Sequence, residues 1–293
     1  MIDLQRIINS RQALTLASVP NGFVPLLLAD LTRAAKTRTL YIAPDESAMR
    51  AIADATPFFA PELEILILPG WDCLPYDRAS PSVAVTSQRT ATLQALQQTA
   101  KKKQLVVTTI GAVIQKYVTP FRIRQTGERL AAGREISRER LASLLQSNGY
   151  FRVDTVADAG EFAIRGSIVD LFPAGSEVGL RLDFFGDEIE SIRRFNPSDQ
   201  RSIDQVEHFD ILPAVEALMD EEAIKRFRTG YRERFGVTAT GDPLYQAVSE
   251  GRRLSGMDDW LPLFEEQMAT IFDHVCADAL IIRDSAAIAA GQS

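Results

Sequence analysis

Cysteine and histidine are scarce in this chain of 293 residues, which holds two of each. Cys73 and Cys276 lie far apart and follow neither a metal-binding nor a redox spacing. The two histidines, His208 and His274, are too few for a histidine-rich metal site. We therefore expect this chain to hold no metal and no redox centre.

The sequence also has neither the apolar runs of a membrane protein nor the positive charge of a nucleic-acid-binding one. No apolar stretch approaches the ~20 residues that span a bilayer. The segment MIDLQRIINS lacks the apolar core of a signal peptide. The net charge of −7 disfavours nonspecific binding to nucleic acid. We expect a cytoplasmic protein with no membrane partner.

Residues 1–118 alternate between predicted strands and predicted helices, which is typical of a parallel sheet flanked by helices. The predicted strands are ALTLAS, TRTLYIAP, ELEILILPG and QLVVTT. Because ELEILILPG is continuously apolar, we expect it to be a central strand buried on both faces. The predicted helices begin near Phe23, in SAMRAIADATPFF and in VTSQRTATLQALQQ.

The pattern changes after Pro120. FRIRQTGERL predicts a strand and a turn, and SRERLASLLQSNGY predicts a helix with Ser137 as its N-cap and Gly149 at its end. Short alternating segments then predict an antiparallel α+β insert at residues 119–212. Residues 213–293 are predicted to be mainly helical, with ADALIIRD returning to the α/β domain. Because the last strand–helix unit is unfinished, we expect a fragment of a longer protein.

The loop after ALTLAS has the outline of a P-loop without its chemistry. Aligned on Gly22, the first glycine position is Ala17, and the Lys and Ser/Thr positions hold Phe23 and Val24. Pro20 also removes one N–H from the phosphate cradle. The residues favour a strand–turn–helix kept for packing over an unusual nucleotide site. We expect a degenerate P-loop, or RecA-like, sheet domain.

The loop PGWDCLPYDRASPS follows the predicted central strand, at the edge where α/β proteins place ligands. Trp71, Tyr76 and Arg78 could stack on nucleic acid, with Asp77 between them. Alternatively, the rings pack on a neighbouring element. The residues alone favour packing.

Two strands of the insert place arginines and a phenylalanine on one predicted face. In LRLDFF the two-residue period puts Arg181 and Phe185 opposite the leucines. In EFAIRG the same period puts Arg165 opposite Phe162 and Ile164. Since large aromatics and arginine dominate interface hot spots, this face is a candidate docking surface.

A solvated sheet is the alternative interpretation of the same residues. In that case the arginines pair with Asp170, Asp183 or Glu188, and Phe185 lies under a loop. A ring inside the protein, or two cations both neutralised and shielded, would rule out docking.

Several long blocks of the sequence resemble transcription-repair coupling factors (Mfd), in the same order along the chain. The blocks are GEFAIRGSIVDLFPAG, LRLDFFGDEIESIRRFNPSDQRS, LPGWDCLPYDRASPS, RTATLQAL and DPLYQAVSEGRRLSGMDDWLPLF. The matching module of that family is similar to the N-terminal region of the excision-repair protein UvrB. The resemblance implies an α/β domain with a degenerate P-loop, interrupted by an inserted UvrA-binding domain.

The resemblance also implies which residues dock UvrA. The family's contacts fall on Arg165, Arg181 and Phe185, and Glu188 in the turn after them is a further candidate. The P-loop is a working one in UvrB and degenerate in the coupling factors. The chain also has no room after PYDRASPS for the aromatic hairpin that UvrB inserts into damaged DNA. We therefore expect a non-catalytic adaptor that binds no cofactor; the alternative is a nucleotide-dependent, helicase-type enzyme like UvrB.

For the parent protein, the resemblance implies an ATP-dependent translocase on double-stranded DNA. Its ATP and Mg²⁺ would bind in motor domains that this chain does not contain. The parent would displace RNA polymerase stalled at DNA damage and recruit the excision machinery. Its C-terminal domain is expected to mask the UvrA-docking surface until the motor engages.

Overall fold

The computed structural model describes residues 3–10, 12–74, 79–236 and 241–290. The chain divides into two compact units. The first unit consists of residues 1–70, 92–120 and 269–293, and the second of residues 71–91 and 121–268. Within the described ranges, no helix is long and apolar enough to cross a membrane. The expected domain boundaries, after residues 118 and 212, stay a prediction.

The secondary structure is mixed α/β. The helices are α1 Leu4–Ile8, α2 Val24–Ala34, α3 Glu46–Phe59, α4 Val83–Gln97, α5 Ile110–Ile114, α6 Pro120–Thr126, α7 Arg138–Ser147, α8 Glu221–Phe235, α9 Pro243–Ser249, α10 Leu261–Phe264, α11 Ile271–Val275 and α12 Ser285–Ala290. The strands are β1 Thr39–Ala43, β2 Glu64–Leu68, β3 Gln104–Thr109, β4 Tyr117–Val118, β5 Glu128–Ala131, β6 Phe151–Arg152, β7 Glu161–Arg165, β8 Ile168–Leu171, β9 Gly179–Phe185, β10 Glu188–Phe195, β11 Ser202–Val206, β12 His208–Ile211, β13 Met268–Ala269 and β14 Leu280–Arg283.

The first unit is built on a parallel sheet with the strand order β14-β1-β3-β2. Strand β3 is buried along its whole length, although its sequence QLVVTT is half polar. Helix α3 begins where the side chain of Asp45 accepts a hydrogen bond from the backbone N–H of Ala48 at 2.8 Å. Leu28 of α2 and Met49 of α3 join the buried core of the sheet. The predicted parallel sheet flanked by helices is confirmed.

Two expectations for this sheet are wrong. The segment ALTLAS is not a strand; it pairs with no strand of the described sheet, and Leu14 and Leu16 are exposed. A short apolar run becomes a strand only where a neighbouring strand completes its hydrogen bonds, which the run itself cannot reveal. Strand β2, expected at the centre, lies at the edge and is only partly buried. Helices that cover a sheet also bury the faces of its edge strands. A continuously apolar sequence therefore does not show whether a strand lies at the centre or at the edge of the sheet.

The second unit contains a six-stranded sheet with the order β11-β10-β9-β8-β7-β6, antiparallel except for β6 against β7. Helix α7 packs Leu141 and Leu145 into the core beneath this sheet. Its predicted caps are confirmed. The hydroxyl of Ser137 accepts from the backbone N–H of Arg140 at 3.2 Å, and Gly149 ends the helix with a φ of 83°.

The predicted strand in FRIRQT is wrong, because these residues form α6. A strand would turn Phe121 and Ile123 to the same side, but Phe121 is exposed while Ile123 is buried. Pro120 at the first helical position favours the helix, since the proline has no N–H to leave unpaired there. The strand β5 begins only after this helix, and it pairs with β12.

The predicted helical segment after residue 213 is confirmed in α8, α9 and α10. The Asp220 carboxylate caps α8 by accepting from the N–H of Ala223 at 2.8 Å. Phe227 of α8 stacks on Phe264 of α10 with ring centroids 4.8 Å apart, which joins these helices through their aromatic faces.

Candidate protein-docking surface on the insert sheet

Strands β7 to β10 present one side of the sheet away from the core that α7 covers, and we call this side the outer face. Its members are Arg165, Ile168, Asp170, Arg181, Asp183, Phe185, Glu188, Ser191 and Arg193. The pairing register places Asp170 and Arg193 directly opposite Arg181 on its two neighbouring strands. Side chains opposite each other in a sheet share a face, so these residues form one surface.

The position of Phe185 agrees with the predicted alternation. The side chains of Leu180, Leu182 and Phe184 are buried in the core, whereas Phe185 is 80% exposed. The ring does not lie under a loop, so that part of the solvated-sheet alternative is wrong. Strand β9 ends at Phe185, and Gly186 follows with a φ of 61°, which lets the chain turn tightly into β10.

Asp170 pairs with both predicted arginines. Its Oδ1 accepts from Nε of Arg181 at 2.7 Å, and its Oδ2 accepts from Nη2 of Arg181 at 2.9 Å and from Nη2 of Arg165. The carboxylate is completely buried. This pairing is the part of the solvated-sheet alternative that the structure confirms. One carboxylate thus faces two guanidinium groups, and the outer face as a whole carries three arginines and three acidic residues, Asp170, Asp183 and Glu188.

The two arginines differ in how far they reach the solvent. The side chain of Arg181 is 17% exposed, and that of Arg165 is 49% exposed. The hydrogen bond with Asp170 raises the pKa of Arg181, although burial acts in the opposite direction. The Arg181 guanidinium also lies over the ring of Phe195, 5.0 Å from its centroid. The cations are therefore paired, but only Arg181 is shielded.

Glu188 faces Phe185 across the hairpin formed by β9 and β10. The two residues are register partners, and Glu188 is exposed. The structure thus brings all four predicted docking residues to one surface: Arg165, Arg181, Phe185 and Glu188. Whether they bind a partner stays a prediction.

A third arginine on the outer face, Arg193, was missed by the sequence reasoning. A β-bulge between Ile189 and Ser191 shifts the alternation of β10. Ile189 and Ile192 are both buried although they are three residues apart, which a simple two-residue period does not allow. The spacing of these two isoleucines is the signal that could have revealed the bulge and placed Arg193.

Part of the outer side is covered rather than solvated. Ala163 points to the same side as Arg165, but it is buried in a small cluster with Val156 and Phe195. Gly179 makes room for this cluster, since a Cβ there would lie 2.4 Å from the ring of Phe195. The open surface is therefore limited to the end of the sheet that carries Phe185.

Of the four residues that the sequence aligns with the P-loop pattern, only Val24 packs against the protein. Phe23 ends a short 3₁₀ turn, and Val24 begins α2 and packs against the core of the first unit. Ala17 and Gly22 are exposed, and a Cβ on Gly22 would meet nothing within 4 Å. Neither Phe23 nor Val24 offers a cation or a hydroxyl. Across the described ranges, no group of His, Cys, Asp or Glu residues could hold a metal ion.

The tryptophan of the loop PGWDCLPYDRASPS packs within the second unit. Nε1 of Trp71 donates to Oε1 of Glu216 at 3.2 Å, and the guanidinium of Arg89 lies 5.9 Å from the ring centroid. Arg89 and Glu216 form an ion pair that is almost completely buried. The packing interpretation is confirmed for Trp71. Tyr76, Asp77 and Arg78 lie outside the described residues.

Known proteins resemble this chain in sequence. The family of the UvrB interaction domain matches residues 129–216, which include the whole outer face. The transcription-repair-coupling factor of Haemophilus influenzae is 32% identical over 268 residues, which are 91% of this chain and 23% of the relative. The transcription-repair-coupling factor of Escherichia coli is 34% identical over 257 residues, which are 87% of this chain and 22% of the relative. The transcription-repair-coupling factor of Myxococcus xanthus is 34% identical over 262 residues, which are 85% of this chain and 22% of the relative.

The chain spans about a fifth of the length of these relatives. The relatives align with most of the chain, so their alignments include the residues that match the family of the UvrB interaction domain. Residues 129–216 therefore match the UvrB interaction domain, and the chain is homologous over most of its length to a part of the transcription-repair coupling factors.

Proposed function

We propose that this chain is a non-catalytic adaptor that recruits UvrA to RNA polymerase stalled at DNA damage. The homology to transcription-repair coupling factors supports the setting in transcription-coupled repair. The match to the UvrB interaction domain supports the insert as the part that docks a partner.

The observation that carries the proposal is the exposed ring of Phe185 beside paired arginines. An aromatic side chain that is 80% exposed at the end of a rigid strand gains about 1.5–3 kcal/mol when a partner buries it. The arginines are already ordered by Asp170, so binding costs them little conformational entropy. Phe185 supplies the affinity in this proposal, while Arg165, Arg181 and Glu188 fix the orientation.

The adaptor role requires no chemistry from the chain itself. Phe23 and Val24 stand where a nucleotide site needs Lys and Ser/Thr, and Val24 is used in packing. ATP and Mg²⁺ belong, in this proposal, to motor domains of a longer parent protein that moves along double-stranded DNA. The parent's C-terminal domain covers the outer face until the motor engages RNA polymerase, so that UvrA docks only after engagement.

A calorimetric titration of UvrA with the chain tests the proposal. We expect the wild-type chain to bind and Phe185→Ala to lose at least about tenfold in affinity, because hot-spot aromatics contribute ~2 kcal/mol or more. Phe58→Ala is the matched control, since Phe58 in α3 is 86% exposed but lies in the first unit. Binding that is equally strong with Phe185→Ala would rule out the proposed docking residue.

A further inference from the structure

Arg193 is an outer-face residue to which the resemblance assigns no role. It lies in β10 directly opposite Arg181 of β9, and its side chain is 41% exposed. Its exposure is close to that of Arg165 and well above that of Arg181. Arg165 and Arg193 are therefore the two arginines of this surface that a partner can reach most easily.

The guanidinium of Arg193 is held in a fixed orientation. Its Nε and Nη2 donate to the same oxygen, Oδ2 of Asp183, at 3.1 and 2.6 Å. The hydroxyl of Ser191 donates to that oxygen as well, at 3.0 Å. A guanidinium group has five N–H donors, and both of these contacts of Arg193 use a single carboxylate oxygen, while the side chain stays 41% exposed. The arginine is thus ordered before any partner arrives, which lowers the entropic cost of a second carboxylate contact.

The sheet also fixes where the two accessible arginines are held. Arg165 lies on β7 and Arg193 on β10, with β8 and β9 between them. Both side chains reach inward across the sheet, because Arg165 pairs with Asp170 of β8 and Arg193 pairs with Asp183 of β9. Each accessible guanidinium group is therefore held by one aspartate of the outer face.

We propose that Arg193 is a further docking residue and that the partner presents carboxylates to Arg165 and Arg193. An apolar pocket of the same partner takes the ring of Phe185. This inference rests on the proposed function, because it describes the recognition of UvrA by the outer face. Charge complementarity of this kind fixes the register of an interface and rejects partners with basic surfaces.

Charge reversal at two adjacent arginines tests the inference. In titrations of UvrA with the full chain, we expect Arg193→Glu to weaken binding by at least about tenfold. Arg194→Glu is the matched control and should stay within about twofold of the wild type. Arg194 is 44% exposed and pairs with Asp204, but its register partner is Leu180 of the core face.

Arg193→Gln provides a second readout that a purely structural role would not change. If Arg193 meets a carboxylate of UvrA, the Kd of this variant depends less steeply on NaCl than the wild-type Kd. Thermal unfolding of each variant checks the fold. Should Arg193→Glu unfold the insert, the salt dependence of Arg193→Gln decides: a slope equal to the wild-type slope overturns the inference.

The outcomes also separate this inference from the proposed function. If the wild-type chain binds UvrA, Phe185→Ala does not, and both charge reversals bind like the wild type, then only the role of Arg193 is wrong. If the wild-type chain itself does not bind UvrA, the proposed function fails and the inference falls with it.

Discussion

Asp170 is the residue on which the charge arrangement of the outer face depends. It is buried, and it holds Arg165 and Arg181 at the same time. A buried carboxylate is tolerated only when donors surround it, and here two guanidinium groups supply them. Removal of the carboxylate would leave Arg181 mostly buried without its partner.

We expect Asp170→Ala to lower the free energy of unfolding of the second unit by about 1–3 kcal/mol, because a mostly buried arginine loses its hydrogen-bonded partner. Urea unfolding followed by tryptophan fluorescence measures this, since Trp71 and Trp260 both belong to the second unit. Asp204→Ala is the control: its pair with Arg194 is about half exposed, so less than about 1 kcal/mol is lost. Equal losses for the two variants would show that the burial of Asp170 contributes nothing.

The sequence predicts single residues well where a strand alternates without interruption. In β9 the buried side chains of Leu180, Leu182 and Phe184 alternate with more exposed ones, so the exposure of Phe185 could be predicted from the two-residue period. Arg193 could not be placed in this way because the bulge lies two residues before it. The same period puts Ala163 on the side of Arg165, but the cluster with Phe195 that buries it forms between residues distant in sequence.

Among the elements, the glycine after α7 shows how a turn and its packing act together. Gly149 has a φ of 83°, and a Cβ there would lie 2.4 Å from Cγ2 of Val215. Gly133, after β5, has a nearly equal φ of 81°, but a Cβ there would meet nothing within 4 Å. Both glycines have a backbone conformation that would strain a residue with a Cβ, and they differ in the space that a Cβ would find.

We expect Gly133→Ala to cost about 1–2 kcal/mol, the strain of a left-handed residue with a Cβ. Gly149→Ala should cost at least about 1 kcal/mol more, because Val215 must move. Unfolding of both variants in urea gives the difference. Identical losses would mean that Val215 yields freely and that only the backbone conformation matters.

Helices were predicted more reliably than the order of strands. Capping residues such as Ser137 and Asp220 mark a helix locally, so α7 and α8 could be located from sequence. The edge position of β2 depends on pairing with β3, which lies far along the chain. The helix α6 was missed because FRIRQT alternates like a strand; the burial of Ile123 beside the exposed Phe121, and Pro120 at the first helical position, identify the helix.

For the molecule as a whole, the first unit is built on a parallel sheet, and Phe23 and Val24 stand at the positions where a P-loop needs Lys and Ser/Thr. We therefore expect equilibrium dialysis at millimolar ATP to show no uptake by the chain, because Phe23 and Val24 offer no group that binds phosphate or Mg²⁺. A P-loop ATPase in a parallel cell serves as the positive control. Saturable uptake of one ATP per chain would contradict this expectation and support the alternative of a nucleotide-dependent enzyme.

The net charge of the chain differs from that of its outer face, where three arginines are balanced by Asp170, Asp183 and Glu188. The chain carries −7 overall, which opposes nonspecific binding to nucleic acid. The outer face, in contrast, offers Arg165 and Arg193 at half exposure. In the proposed complex, this local and preordered arrangement of charges, and not the average charge of the chain, selects the partner.

The central claim is that UvrA docks on the outer face, and amide hydrogen exchange of the chain with and without UvrA tests its location directly. We expect slower exchange in the two exposed turns beside Phe185, at residues 166–167 and 186–187, when UvrA is present. Helix α8 and the sheet of the first unit should exchange at unchanged rates. Protection confined to other segments, with both turns unaffected by saturating UvrA, would contradict the account.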